Sequence, residues 1–213
     1  MIISGQVGPQ TAVAAGATLV PYRQGRQADM TVSELHGRYY EQTYAGNVYS
    51  LSVAAAAAIT AYTGGAAGTP QIALWNPAGS GKNAVILQAS LANVVAASAA
   101  GTVAWGLYFG VTAAITQATT TVPTNMLTLQ KSGSAMTGFT NVALTSSTAL
   151  TNVLPLSSYY WATAAGAINA APPVAEIAGS IIIPPGCMIA LGGSSALTSA
   201  TWIGGLVWEE TPV

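Results

Sequence analysis

Between Val103 and Val111 the side chains alternate with a period of two. Val103, Trp105, Leu107, Phe109 and Val111 form a bulky face, and Ala104, Gly106, Tyr108 and Gly110 a mostly small one. Successive strand residues point to opposite faces, so this run is a half-buried strand or one packed closely on both sides. The period recurs along the chain. Val48, Ser50 and Ser52 alternate with Tyr49, Leu51 and Val53, and the pattern continues through Ala54 to Tyr62. Ala54 to Ala58 could form a helix by propensity. Their β-branched and aromatic neighbours, and Gly64-Gly65 beyond, favour strand.

Turn signals separate these runs. Gln71 to Trp75 is a short strand that ends at Asn76-Pro77, and Ala78-Gly79-Ser80-Gly81 completes the loop. Val85, Leu87, Ala89 and Leu91 then alternate with Ile86, Gln88, Ser90 and Ala92. Residues 112 to 152 are dominated by Thr, Ser, Ala and Asn and read as long loops and weak strands. Leu154 to Ala162 and Val174 to Ile183 are strands. Pro184-Pro185-Gly186 is a sharp turn, Cys187 to Leu191 returns from it, and Thr201 to Glu209 is last. No helix-period segment lies between them. An all-β sandwich or barrel follows, and an eight-stranded jelly roll fits the length and spacing best.

Residues 1 to 46 differ from this pattern and read as an extended N-terminal arm. The sandwich occupies residues 47 to 213. Within the arm, Thr31-Val32-Ser33-Glu34 resembles a capping box and allows a short helix to His36. The N-terminus lacks a basic leader region and Gly8-Pro9 interrupts its apolar run, so no signal peptide is expected.

Charge is nearly missing. The chain has five basic and six acidic residues, and Arg23, Arg26, Asp29, Glu34, Arg38 and Glu41 all lie in the arm. Residues 42 to 208 hold only Lys82, Lys131 and Glu176. A free surface so neutral lacks colloidal repulsion, which points to a subunit of a larger assembly. The net charge of −1 gives no electrostatic case for nucleic acid. Residues 84 to 115 are uncharged, but Gln88, Ser90, Asn93, Ser98, Gly101, Thr102, Gly106 and Gly110 interrupt them with the wrong period for a membrane helix.

The inventory for chemistry is thin. The single His36 and single Asp29 lie in the arm with no triad signature around them. His36 with Glu34 or Glu41 is a weak metal set, and none is expected to bind. Paired carboxylates could come only from Glu176 with Glu209 or Glu210. Adjacent Glu209-Glu210 read instead as the polar end of a strand. Asn76-Pro77-Ala78-Gly79-Ser80-Gly81-Lys82-Asn83 superficially resembles a phosphate loop. However, Asn76 and Asn83 replace its first Gly and its hydroxyl, and a strand follows. It reads as a β-turn with positive-φ glycines and with Lys82 keeping its tip soluble. Cys187 cannot form an intrachain disulfide and reads as a small apolar strand residue, a reactive thiol being the alternative. Trp75, Trp105, Trp161, Trp202 and Trp208 read as core or subunit interface before a carbohydrate platform.

Three segments carry a resemblance. Leu74-Trp75-Asn76-Pro77-Ala78-Gly79-Ser80-Gly81-Lys82-Asn83 precedes an aliphatic strand. Ile183-Pro184-Pro185-Gly186 joins two strands, and Leu206-Val207-Trp208-Glu209-Glu210-Thr211-Pro212 closes the chain. Together they resemble virion structural proteins of tailed bacteriophages, over roughly residues 47 to 213. The resemblance implies jelly-roll modules that act as capsid decoration or cement proteins, or as parts of fibres. It carries over no catalytic residue.

The expectation is therefore a structural virion protein with no enzymatic activity and no cofactor. It would be made in the host cytoplasm and sit on the capsid surface. Its partners would be copies of itself, as a homotrimer, and the major capsid protein or other virion proteins. Arg23, Arg26, Arg38, Tyr39, Tyr40 and Tyr44 are the expected arm anchors, because Arg and Tyr are enriched at interface hot spots. The second expectation is a fibre or receptor-binding module for host glycans.

Overall fold

A computed structural model describes residues 37–53, 56, 58, 67–68, 72–96, 101–111, 115–116, 120–131, 133–140, 144–146, 153–163, 174–193 and 200–213. The chain separates into two compact units, Met1–Tyr40 and Glu41–Val213. Most of the first lies outside the described residues, including Arg23, Arg26, Asp29, Glu34 and His36.

Within the segment expected to be extended, Tyr40–Tyr44 forms one helical turn, α1. Its end explains it. Asn47 N donates to Gln42 O and Gly46 N to Thr43 O, each at 3.0 Å, with Gly46 at φ 77°. This is a Schellman closure, which needs a left-handed residue and finds glycine there.

Thirteen strands follow among the described residues. They are β1 Val48–Ser52, β2 Ala67–Gly68, β3 Ile72–Asn76, β4 Lys82–Val95, β5 Gly101–Tyr108, β6 Ile115–Thr116 and β7 Thr124–Asn125. The rest are β8 Thr137–Thr140, β9 Leu144–Ser146, β10 Val153–Thr163, β11 Val174–Ile183, β12 Cys187–Gly193 and β13 Thr201–Pro212. One sheet has the order β11-β4-β13-β1-β7 and a second the order β10-β5-β12-β3-β8, with a small third sheet β2-β9-β6. β1 ends at Ser52, and the strand expected to run on to Tyr62 falls mostly outside the described residues.

The pairing is nested. β1 pairs with β13, β3 with β12, β4 with β11 and β5 with β10, all antiparallel. The first of the eight principal strands meets the last, the second meets the next to last, and so inward. β4 with β13 and β5 with β12 then join these ribbons into two sheets. This connectivity is that of a jelly roll, and the all-β sandwich is as the alternation predicts.

The two inner faces share one apolar core. β13 contributes Trp202, Leu206 and Trp208, β4 Ile86 and Leu91, β5 Val103 and Trp105, and β3 Ile72 and Leu74, each under 2 % exposed. A tryptophan removes about 150–250 Å² from water, an upper-bound gain of roughly 4–6 kcal/mol at ~25 cal/mol/Å². The indole N–H groups of Trp105 and Trp202 are buried with no hydrogen-bond acceptor among the described residues. That costs about 1–3 kcal/mol each, so ring burial still wins. β3 departs from simple alternation, because all five of its residues are buried. Ala73 and Trp75 pack on its other side with Val111, Phe139, Met188 and Ala190. Phe139 lies in the region expected to hold only weak strands, yet it is 1 % exposed on β8.

The sheet edges are blunted. In β11, residues 177–180 stand opposite Leu87 alone, because the register moves from Glu176↔Gln88 to Ile181↔Ile86. In β10, residues 156–159 likewise stand opposite Trp105, between Pro155↔Gly106 and Tyr160↔Ala104. At the other edges, β7 has two residues and β8 four. Broken or very short edge strands offer no template for another chain's strand.

Candidate functional site

The three segments that carry the resemblance converge at one end of the sandwich. Asn76, at the end of β3, is fully buried. Its Nδ2 donates to Lys82 O and to Ile183 O, both at 2.8 Å. Two carbonyl partners require the amide nitrogen on that side, which orients the side chain. Its backbone carbonyl accepts from Gly186 N at 2.8 Å, and Gly186 O accepts from Val111 N at 2.8 Å. One asparagine thus joins the Asn76–Lys82 turn to the Ile183–Gly186 turn. Its Oδ1 has no donor among the described residues.

Glu210 is the second knot. It is 2 % exposed, although its position beside Glu209 near the C-terminus suggested the polar end of a strand. Alternation along β13 turns Glu210 inward with Trp208, and Glu209 to the other face. Ser134 Oγ donates to Glu210 Oε1 at 2.5 Å, and Ala135 N lies 3.2 Å from Oε1 and 3.1 Å from Oε2. Trp208 Nε1 donates to Oε1 at 3.4 Å. Lys82 Nζ is 3.5 Å from Oε2. Lys82 therefore does more than solubilise a turn tip: it is the counterion of a buried carboxylate. Partial burial pushes the Glu209 carboxyl up.

The loop that resembles a phosphate loop is closed on itself. Ser80 N donates to Pro77 O, and Lys82 N donates to Ser80 Oγ. Gly81 has φ 66°, but Gly79 does not take the positive φ expected of the turn's glycines, and β4 follows in place of a helix. No cluster of three His, Cys, Asp or Glu side chains occurs among the described residues. Nor does any helix among them have the length and apolarity to cross a membrane.

Of the expected anchors, Arg38 is exposed and Tyr39 half-buried, while Tyr40 and Tyr44 are 40 % and 66 % exposed. Arg23 and Arg26 lie outside the described residues. Trp75, Trp105, Trp202 and Trp208 are all buried, as the core reading expects, and the side chain of Trp161 lies outside the described residues. A pocket of about 450 Å³ lies beside β1, and Ser50, Ser52, Thr121, Thr124, Thr140 and Lys131 are among the residues that line it. No aromatic side chain is among its described lining residues.

Cys187 is half-buried and forms no disulfide. Burial pushes its thiol up, against an opposing backbone hydrogen bond from Gly110. Burial also pushes the Tyr108 hydroxyl up to about 12. A thiol with a raised pKa has little thiolate at neutral pH. Alkylation of Cys187 by iodoacetamide at pH 7.5 is therefore expected to be at least about tenfold slower in the folded protein than in urea. Equal rates would show a reactive thiol instead.

A feature that sequence reasoning missed is the turn after β7. Met126, Leu127 and Leu129 are 36 %, 48 % and 72 % exposed. Buried Asn125 holds it. Its Oδ1 accepts from Leu127 N at 2.9 Å and Thr128 N at 3.2 Å, and its Nδ2 donates to Gly46 O at 2.8 Å. The Asn125-Met126-Leu127-Thr128-Leu129 run was legible only as loop, because exposure of its apolar residues depends on neighbours distant in sequence. Comparison of the chain with protein-family models, curated proteins and solved structures finds no match.

Proposed function

We propose that this chain is a structural component of a phage virion, a capsid decoration or cement protein. It associates with copies of itself as a trimer and binds the head shell, so it resides on the capsid surface. The observation that supports this reading best is the nearly charge-free sandwich, in which the networks around buried Glu210 and buried Asn76 hold the fold together. A surface with few charges can be covered by neighbours without desolvating ions, whose burial is costly. The function is binding, with no bond made or broken. Arg23, Arg26, Arg38, Tyr39, Tyr40 and Tyr44 anchor the arm on the shell or a neighbouring subunit.

Truncation tests it. Gly46 and the residues after it carry the contacts to Asn125 and Glu210, whose backbone N donates to Asn47 O. A chain lacking residues 1 to 45 is expected to keep the folded sandwich and to lose co-sedimentation with shells that lack the protein. Undiminished co-sedimentation of the truncated chain would sink the arm's role. The second reading, a receptor-binding module for host glycans, draws on the hydroxyl-lined pocket with Lys131. It requires glycan binding that a change at Thr124 or Lys131 removes.

A further inference from the structure

The pocket beside β1 carries a cation that the fold leaves unspent. Lys82 serves Glu210, whereas Lys131 makes no ion pair with a described residue. Thr124 stands opposite Ser50 on one side and bridges Lys131 on the other. Paired residues of neighbouring strands leave a sheet on the same face. These three side chains therefore form one row, and alternation along β1 places Ser52 beside it. The hydroxyls of Ser50, Ser52 and Thr124 hydrogen-bond to no described residue. Each keeps a donor and acceptors for a ligand.

No acid is among the described residues that line the pocket. On the same face of the sheet, Glu176 aligns through Gln88, Val207, Ser50 and Thr124 with Lys131. Those strand spacings sum to roughly 24 Å. Glu209 pairs with Val48 and lies roughly 15 Å from Lys131 by the same measure. Both separations exceed the screening length of about 8 Å at physiological salt, and Glu210 is buried on the core side with Lys82. The field in the pocket is therefore set by Lys131.

The wall facing this row is preformed. Thr121 N donates to Gly138 O at 2.8 Å, and the hydroxyl oxygens of Thr121 and Thr140 lie 2.7 Å apart. A Cβ at Gly138 would stand 2.6 Å from Thr121 O and 2.8 Å from Leu51 Cδ1. Glycine at this position lets the wall close on β8 and β1. Val122 is held in that wall although it is 48 % exposed. With Leu51 it supplies apolar surface beside the polar row. The cavity of about 450 Å³ falls in the range of small-molecule sites, roughly 300–1,000 Å³. A sugar matches this lining, with C–H groups for Leu51 and Val122 and hydroxyls for the Ser and Thr side chains. A single ammonium, with no guanidinium fork beside it, suits a singly charged carboxylate better than a phosphate.

We infer that the pocket binds an acidic sugar, a hexuronic acid residue, with its carboxylate on Lys131 and its ring hydroxyls on Ser50, Ser52 and Thr124. The inference rests on the glycan-binding reading of this pocket and names the sugar class. The test uses the full chain and two probes that differ only in a carboxylate for a hydroxymethyl group, methyl β-glucuronide and methyl β-glucoside. NMR titration is expected to give the glucuronide a dissociation constant on the order of 1 mM. The glucoside is expected to bind about fivefold more weakly, the effect of one exposed ion pair. Raising the salt to about 0.5 M is expected to remove most of that preference.

Lys131→Met is expected to bring the two probes to equal affinity, and Thr124→Val to weaken both alike. Lys131 is exposed, so its replacement leaves the fold intact. A preference for the glucuronide that survives Lys131→Met would place the carboxylate elsewhere and overturn the inference. Equal binding of the two probes by the wild type overturns the acidic class and leaves the glycan reading standing. Binding of neither probe overturns the inference, and failure of a panel of neutral and acidic oligosaccharides would remove the glycan reading with it. Displacement of the glucuronide by an equal concentration of inorganic phosphate would make this a plain anion site and overturn the sugar.

Discussion

Replacing Glu210 with alanine is expected to destabilise the sandwich by about 3–5 kcal/mol, the range for removing one partner from a buried charged network. The loss comes mainly from hydrogen bonds. Ser134 Oγ, Ala135 N and Trp208 Nε1 would lose the carboxylate that accepts from them, and bonds to a charged acceptor contribute about 1.5–3 kcal/mol each. The Lys82 side chain is 37 % exposed. Solvent screens its ion pair, so Lys82→Met is expected to cost less than about 1 kcal/mol. Urea unfolding separates the two. Glu210→Ala should lower the midpoint strongly with little change in slope, and Lys82→Met should barely move it. Equal losses would mean that the ion pair to Lys82, and not the hydrogen bonds from Ser134, Ala135 and Trp208, supplies most of what Glu210 contributes.

Asn76→Ala is expected to cost about 2–4 kcal/mol, because it leaves Lys82 O and Ile183 O without the donor they share. The Ile183–Gly186 turn would loosen first. Gly186 N still reaches the Asn76 backbone carbonyl, so the β3–β12 register should survive. Amide hydrogen exchange at Gly186 and Cys187 reads this directly. Faster exchange there, with unchanged protection in the centre of β13, is the expected pattern. A loss below about 1 kcal/mol would mean that water replaces the asparagine at both carbonyls.

Much of the architecture was legible because strand alternation is a property of contiguous residues. Val103–Val111, Cys187–Leu191 and Thr201–Glu209 each announce a strand, although the first overshoots: β5 ends at Tyr108, and Phe109, expected on the bulky face, is 44 % exposed. The turns are equally local, since Asn76-Pro77 and Pro184-Pro185-Gly186 restrict their own backbones. The helical turn Tyr40–Tyr44 escaped notice because five residues show no period, and because Gly46 looks like any other loop glycine. Phe139 also escaped, and the strand read at Gln71–Trp75 gave no sign that β3 is buried on both faces, since a strand covered on both sides loses its alternation.

The candidate site was less legible. Leu74–Asn83, Ile183–Gly186 and Leu206–Pro212 stand out along the chain, but nothing in them shows that they meet. Asn76 finds Ile183 across 107 positions, Glu210 finds Ser134 across 76, and Lys82 finds Glu210 across 128. Local pattern therefore specifies the strands, the turns and the all-β class of this protein, because these follow from steric and hydrophobic preferences between neighbours in the chain. Pairing across the two sheets decides which polar groups are buried and which apolar ones stay in water. Glu210 is a structural knot only through partners that long-range packing brings to it, and Leu129 stays in water because that packing leaves it uncovered.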